Sequence, residues 1–171
     1  MRIIGIDPGL NCTGFGIVEN KGKETKVILA GVIKTSPKEL IQDRLNKIYS
    51  HILDIISEHK PDILVLEKLY SHYKHPTTVI SLGYARGAIC LACGQAKIPI
   101  KSYSAKRIKK AITGGGNASK RQVQRMIQHL FKLKELPTPD DISDALALAL
   151  GYLYLNKKEN IKNWSQELKV K

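Results

Sequence analysis

The stretch Asp62-Ile-Leu-Val-Leu-Glu67 constrains the fold more than any other part of the chain. Its apolar residues run consecutively, with no polar alternation, which describes a strand covered on both faces. Strands of that kind belong to parallel sheets, and a parallel neighbour requires a crossover connection. The residues just upstream supply one. Positions 37–59 carry Leu40, Ile41, Leu45, Ile48, Ile52, Ile55 and Ile56, a spacing that lines one face of a helix. Ser36-Pro37 offers an N-cap and a first helical residue.

The parallel partner must lie earlier in the chain. Arg2–Ile6, Thr13–Glu19 and Lys26–Thr35 read as β-type runs. Their links, Pro-Gly-Leu-Asn and Asn-Lys-Gly-Lys, are short and polar, which favours antiparallel hairpins and predicts a three-stranded meander. Downstream, Pro76–Lys97 predicts a second long helix, rich in small residues such as Gly83, Ala85, Gly87, Ala88 and Ala92. Ile98–Tyr103 predicts a fifth strand. Ser104–Ile112 and Ser119–Lys132 predict basic amphipathic helices, joined by the flexible Gly114–Asn117 link. Asp140–Leu155 predicts an apolar final helix. The expected fold is α/β, a five-stranded mixed sheet in which the antiparallel meander is extended by parallel strands and flanked by helices. The expected organisation is one domain, 1–155, and a polar, ragged C-terminal tail, 156–171.

Composition removes several classes. No apolar stretch approaches the roughly 20 residues needed to span a bilayer. The N-terminus has no apolar core followed by a small-residue cleavage site, so the expected compartment is the cytoplasm. Three cysteines, an odd and small number, argue against a disulfide framework. Cys90-Leu-Ala-Cys93 falls in a small apolar helix, where thiols pack. No second pair or His pair completes a zinc site.

Charge supplies the first functional signal. Lys and Arg number 28 against 15 Asp and Glu, a net charge of +13. No acid occurs between Glu67 and Glu135, while that interval carries fourteen Lys and Arg. A lysine-rich background explains the bases but not the missing acids. The pattern points to a polyanion, and nucleic acid fits best.

The carboxylates flanking that interval carry the chemistry. Asp7 closes the first strand and Glu67 the fourth. If those strands are parallel neighbours, both side chains leave the same sheet edge, where α/β proteins place ligands. In Thr138-Pro-Asp-Asp-Ile-Ser-Asp144, Asp141 and Asp144 share a helix face. Thr138 as N-cap with Asp141 at the third helical position would make a capping box, and Asp140 would suit the helix dipole. Asp144 precedes the apolar run Ala145–Leu150, so it is expected to be buried, at a cost of several kcal/mol unless paired or metal-bound. A basic partner from the acid-free interval could satisfy these acids. Hard divalent cations with oxygen ligands, Mg²⁺ or Mn²⁺, satisfy them best. Two such ions about 4 Å apart cleave phosphodiesters.

Taken together, GIDPGLNCTGFGIV at 5–18, LVLEKLY at 64–70, SLGYARG at 81–87, SAKRIKKAITGGGNASKRQVQ at 104–124 and DISDALALA at 141–149 resemble the RuvC family. These are bacterial Holliday-junction resolvases of ribonuclease-H-like fold, and the likeness runs in order across 1–155. It implies a structure-specific endonuclease that resolves junctions by paired, Mg-dependent hydrolytic nicks during recombination and repair. It implies Asp7, Glu67, Asp141 and Asp144 as catalytic, metal-holding carboxylates, with two Mg²⁺ per subunit and Mn²⁺ able to substitute. It further implies a homodimer and the branch-migration proteins RuvA and RuvB as partners. The position of Asp141 varies within the family.

Tyr70 stands where the family usually has Phe. Stacking on a base needs only a π-face, so Tyr serves. Lys109 and Lys120 match basic DNA contacts, and Lys106 and Arg121 join them on the same helices. Lys74 lies with His72, Tyr73 and His75 in an expected mobile DNA-facing loop, where the histidines lack a third metal ligand. Arg86, in SLGYARG, could contact DNA or brace the dimer. Three other readings stay open: a ribonuclease-H-like RNA-processing nuclease, an actin- or sugar-kinase-type ATPase fragment, and a catalytically silent DNA-binding module.

Overall fold

The structure is a computed structural model and describes residues 1–22, 24–68 and 76–167. Strands β1 (Arg2–Asp7), β2 (Cys12–Lys21), β3 (Glu24–Lys34), β4 (Ile63–Glu67) and β5 (Ile100–Tyr103) form a single sheet in the order β3-β2-β1-β4-β5. β1, β2 and β3 pair antiparallel. β4 runs parallel to β1 on one side and to β5 on the other. The mixed sheet expected from the sequence is therefore the one formed.

Helices α1 (Ile41–His59) and α2 (Pro76–Gln95) cover one face. Helices α3 (Ala105–Thr113), α4 (Lys120–Leu130) and α5 (Asp140–Glu167) cover the other. Alternate residues of each central strand feed the two cores. Ile4, Ile6, Leu64 and Leu66 pack with Ile48, Ile52 and Ile89. Ile3 and Val65 pack with Ile108, Ile127, Leu146 and Leu150. That double coverage is why the Ile63–Leu66 run shows no polar alternation.

Glycines bring α5 unusually close to the sheet. A Cβ at Gly5 would overlap the Ala145 carbonyl oxygen. One at Gly14 would overlap the Asp141 carbonyl oxygen, and one at Gly16 the Leu146 side chain. Ala145 and Ala149, one turn apart and fully buried, present the matching small face of the helix.

Three expectations about element limits, and one about the length of apolar stretches, are corrected. α1 begins at Ile41, not at Pro37. Ser36–Glu39 closes a turn of its own, with Ser36 N donating to Glu39 Oε2 at 2.8 Å and Glu39 N to Ser36 O at 3.0 Å, and Leu40 is extended. β5 starts at Ile100, because Lys97 turns left-handed and Ile98 N still bonds to Cys93 O, finishing α2. The backbone of α5 continues through Asn156 to Glu167, since no Gly or Pro interrupts the polar residues there. Finally, Thr77–Gln95 is long and apolar enough to cross a membrane by length and composition. Its valine, isoleucine, leucine, alanine and cysteine residues raise its mean hydropathy, while Ala85, Ile89, Ala92 and Cys93 pack it onto the sheet.

Arg44 lies on the inner face of α1 and is buried. Its Nε donates to Thr35 Oγ1 at 2.8 Å and its Nη2 to Asn11 Oδ1 at 2.6 Å. Thr35 N donates to Asn11 O at 3.0 Å. The Pro8–Asn11 link that follows Asp7 is thereby tied to α1 and β3.

Candidate active site

The register fixes the first two carboxylates. Ile6 pairs with Leu66 across the parallel β1–β4 ladder, so Asp7 and Glu67 are the next residues out at adjoining strand ends. On the other side Asp7 pairs with Gly14. Over Gly14 sits the main chain of Asp141, admitted by the missing side chain. The first turns of α5 therefore carry Asp141 and Asp144 to the same edge. Pro8-Gly9 turns the chain sharply after Asp7, and Thr13 Oγ1 ties this turn by donating to Gly9 O at 2.7 Å.

Electrostatics report how near these groups are. Burial, then Asp144, Glu67 and Asp141, push Asp7 up to about 7, against a lowering influence from Lys120. Burial and Asp144 raise Glu67, while Lys109 and Lys120 lower it. Burial raises Asp144 as well, opposed first by Lys120. Lys120, the first residue of α4, places its ammonium 3.3 Å from Asp144 Oδ2, and that carboxylate raises its pKa. Gln124 locks α4 against the start of α5, its Nε2 donating to Pro137 O at 2.8 Å and to Asp140 Oδ1 at 3.2 Å.

Two expectations about α5 change. Asp144 is half-buried rather than fully buried: 28% of its side chain is exposed, at the rim of the site beside Lys120. The buried polar residue there is Ser143, which donates to Asp140 O at 2.7 Å, and complete burial begins only at Ala145. Thr138 is also not the N-cap of a capping box. α5 starts at Asp140, leaving Thr138 two residues ahead of it.

Of the other residues singled out from the sequence, Lys109 is close enough to lower Glu67, while Lys106 and Arg121 are exposed on α3 and α4. Lys106 packs over Gly116 in the link between those helices. Tyr70 and Lys74 lie outside the described residues. Arg86 is turned inward, where its guanidinium donates to Glu67 O at 2.7 Å and Ser102 Oγ at 2.9 Å. Sequence reasoning missed Cys12. Burial raises its thiol, and Asp141 raises it further by charge and by a side-chain hydrogen bond. It also missed Gly5 and Gly14, whose signal was present: glycines inside strand patterns mark close backbone approach.

The four carboxylates offer oxygen donors only, and burial together with their mutual repulsion favours a proton on Asp7 up to about neutrality. A hard divalent cation fits this donor set. Among the described residues, no three His, Cys, Asp or Glu side chains are already closed into a metal-binding cluster. Lys120 supplies the local positive charge instead. Lys120→Met removes that charge, so Asp7, Glu67 and Asp144 are expected to keep their protons to higher pH. Carboxyl-carbon NMR titration of the metal-free protein measures this, and unchanged titration curves would overturn it.

This sheet order, with carboxylates from β1, β4 and the last helix at one edge, defines a metal-dependent nuclease of the ribonuclease-H-like class. A family model described as crossover junction endodeoxyribonuclease RuvC matches residues 3–152, and the chain belongs to the RuvC family. It is 44% identical to crossover junction endodeoxyribonuclease RuvC of Caldicellulosiruptor saccharolyticus, over 90% of this chain and 92% of that protein. It is 40% identical to the corresponding protein of Rhodopirellula baltica, over 90% and 86%. The structure of T. thermophilus RuvC in complex with Holliday junction substrate superposes with a TM-score of 0.88 at 31% identity, covering 93% of this chain and 96% of that one.

Proposed function

We propose that this chain cuts four-way DNA junctions by paired hydrolytic nicks, as part of recombination and repair. The observation that carries the reading is the meeting of Asp7 and Glu67 at adjoining parallel strand ends, under the helix that bears Asp141 and Asp144. The family relatives support a junction endonuclease and lend nothing to the RNA-processing or ATPase readings.

Asp7, Glu67, Asp141 and Asp144 would hold Mg²⁺, as two ions per subunit, with Mn²⁺ as a substitute. When bound, the metal supplies the Lewis acidity that makes water a better nucleophile and neutralises charge developing on the phosphate. Lys109 and Lys120 hold the scissile strand beside the carboxylates, and Lys106 and Arg121 grip its flanks. Tyr70 and Lys74 remain assigned to DNA, Tyr70 by stacking. Residues 1–155 form the nuclease domain.

Two cuts in one junction call for two active sites, and a homodimer supplies them. Among the described residues, the outer strip of α2 offers an apolar surface for pairing, where Ile80, Tyr84 and Leu91 are 55%, 48% and 64% exposed. RuvA and RuvB would be the partners that deliver the junction, in the cytoplasm.

The test is a synthetic four-way junction incubated with the protein and Mg²⁺, beside a linear duplex and an RNA duplex of the same sequence. The expected result is symmetrical nicking of the junction alone. Binding should weaken steeply with salt, as it does when lysines and arginines displace counterions. Preferential RNA cleavage, or ATP turnover without cutting, would sink the reading.

A further inference from the structure

Arg86 was open between a DNA contact and a dimer brace, and its surroundings suggest a different use. It leaves α2 on the side of Ala85 and Ile89, both fully buried, and its guanidinium is partly covered. It reaches the point where the β4–β5 ladder ends. Lys68 N donates to Tyr103 O at 2.8 Å there, while the carbonyl of Glu67 is taken by Arg86 Nη1 at 2.7 Å. The second arm, Nη2, donates to Ser102 Oγ on β5 at 2.9 Å. One guanidinium thus joins α2, β4 and β5 at the residue that carries a carboxylate of the site. Charged donors make the stronger hydrogen bonds, and the rigid fork of an arginine fixes two acceptors at once. Burial and Asp144 raise the Glu67 carboxyl, and Lys109 and Lys120 lower it. Arg86 acts on the main chain of the same residue.

We propose that Arg86 is a positioning residue that locks the end of β4 to β5 and α2, and so fixes the Glu67 carboxylate for metal binding. The proposal rests on the reading of Glu67 as a metal-holding carboxylate. Small displacements at such a place matter, since about 1 Å of misplacement can cost around 100-fold in rate. Loss of a group that orients a metal-holding side chain typically weakens metal affinity by about 10–100-fold.

The experiment uses the full chain and the variants Arg86→Met, Arg86→Lys and Ser102→Ala. Mn²⁺ affinity is measured by calorimetry without DNA, junction affinity in EDTA, and junction cleavage against Mg²⁺ concentration. Arg86→Met is expected to weaken Mn²⁺ binding by about tenfold or more. Its Mg²⁺ requirement for cleavage should rise in proportion, with cleavage recovering at high Mg²⁺ and junction affinity in EDTA within twofold of the parent. Arg86→Lys keeps one charged donor and should fall between the two. Ser102→Ala removes one arm only and should show a smaller shift, which keeps the test informative if Arg86→Met does not fold.

Unchanged Mn²⁺ affinity in all three folded variants overturns the proposal. So does a loss of junction affinity in EDTA with metal affinity intact, which would make Arg86 a DNA contact. The failures separate cleanly. A parent chain that binds Mn²⁺ and leaves junctions whole overturns the junction reading alone.

Discussion

Asp7→Asn is expected to abolish cleavage and, in the same molecule, to stabilise the metal-free fold. The loss of activity should exceed the roughly 10–100-fold that follows removal of an outer-shell partner, because Asp7 is itself a proposed ligand. Junction binding in EDTA should persist, since the lysines proposed to hold DNA are untouched. The gain in stability follows from the pKa. Burial and three neighbouring carboxylates push Asp7 up to about 7, from an ordinary value of 3.8. Between those values the folded chain holds a proton that the unfolded chain has released. Stability of the metal-free protein therefore falls as pH rises from about 4 to about 7, at up to 1.4 kcal/mol per unit. Glu67 and Asp144, also raised, add slope of the same sign. The raised Lys120 contributes only in the alkaline range, beyond this window. Urea unfolding in EDTA from pH 5 to pH 8 should show a steeper fall for the parent than for Asp7→Asn, with the variant more stable at pH 8 by up to a few kcal/mol. Equal slopes would overturn the electrostatic account, and retained cleavage would overturn the catalytic one.

Gly14→Ala is expected to damage the site without touching a charged group. The new Cβ would overlap the carbonyl oxygen of Asp141, which belongs to the backbone and cannot rotate aside. Either β2 or the first turn of α5 must move, and both carry the edge on which Asp7, Asp141 and Asp144 meet. Overpacking of this kind costs about 1–3 kcal/mol. The rate should fall by around 100-fold for each ångström of carboxylate displacement. Gly94→Ala is the control: nothing lies within 4 Å of a Cβ there, and alanine adds up to about 1 kcal/mol of helix propensity. Melting temperature and single-turnover cleavage of both variants decide the matter. Full cleavage by Gly14→Ala would show that the site tolerates a displaced α5.

Much of this was legible from the chain. The Ile63–Leu66 run and its preceding helix specified a parallel strand, because a strand buried on both faces leaves no polar alternation. The short links around Pro8-Gly9 and Asn20-Lys21 specified the meander. Asp7 and Glu67 followed from their places at strand ends. What escaped was set by tertiary detail. Asp144 looked buried because the apolar run follows it at once, yet one residue of helical phase puts it on the rim. The start of α1 was misplaced because Ser36–Glu39 satisfies its own backbone groups before the helix begins. Arg44 was invisible as a buried anchor, because its partners Thr35 and Asn11 are distant in sequence and neutral.

The seating of α5 on Gly5 and Gly14 has a consequence for how such a chain can change. Where side chains separate a helix from a sheet, drift in one layer can be absorbed by repacking in the other. Here main chain rests against main chain, and there is little to repack. The amino-terminal hairpin and the last helix must therefore be inherited as a matched pair, although more than a hundred residues of sequence lie between them. A chimaera that takes one from a relative without the other would keep every acidic residue and still lose the alignment between them.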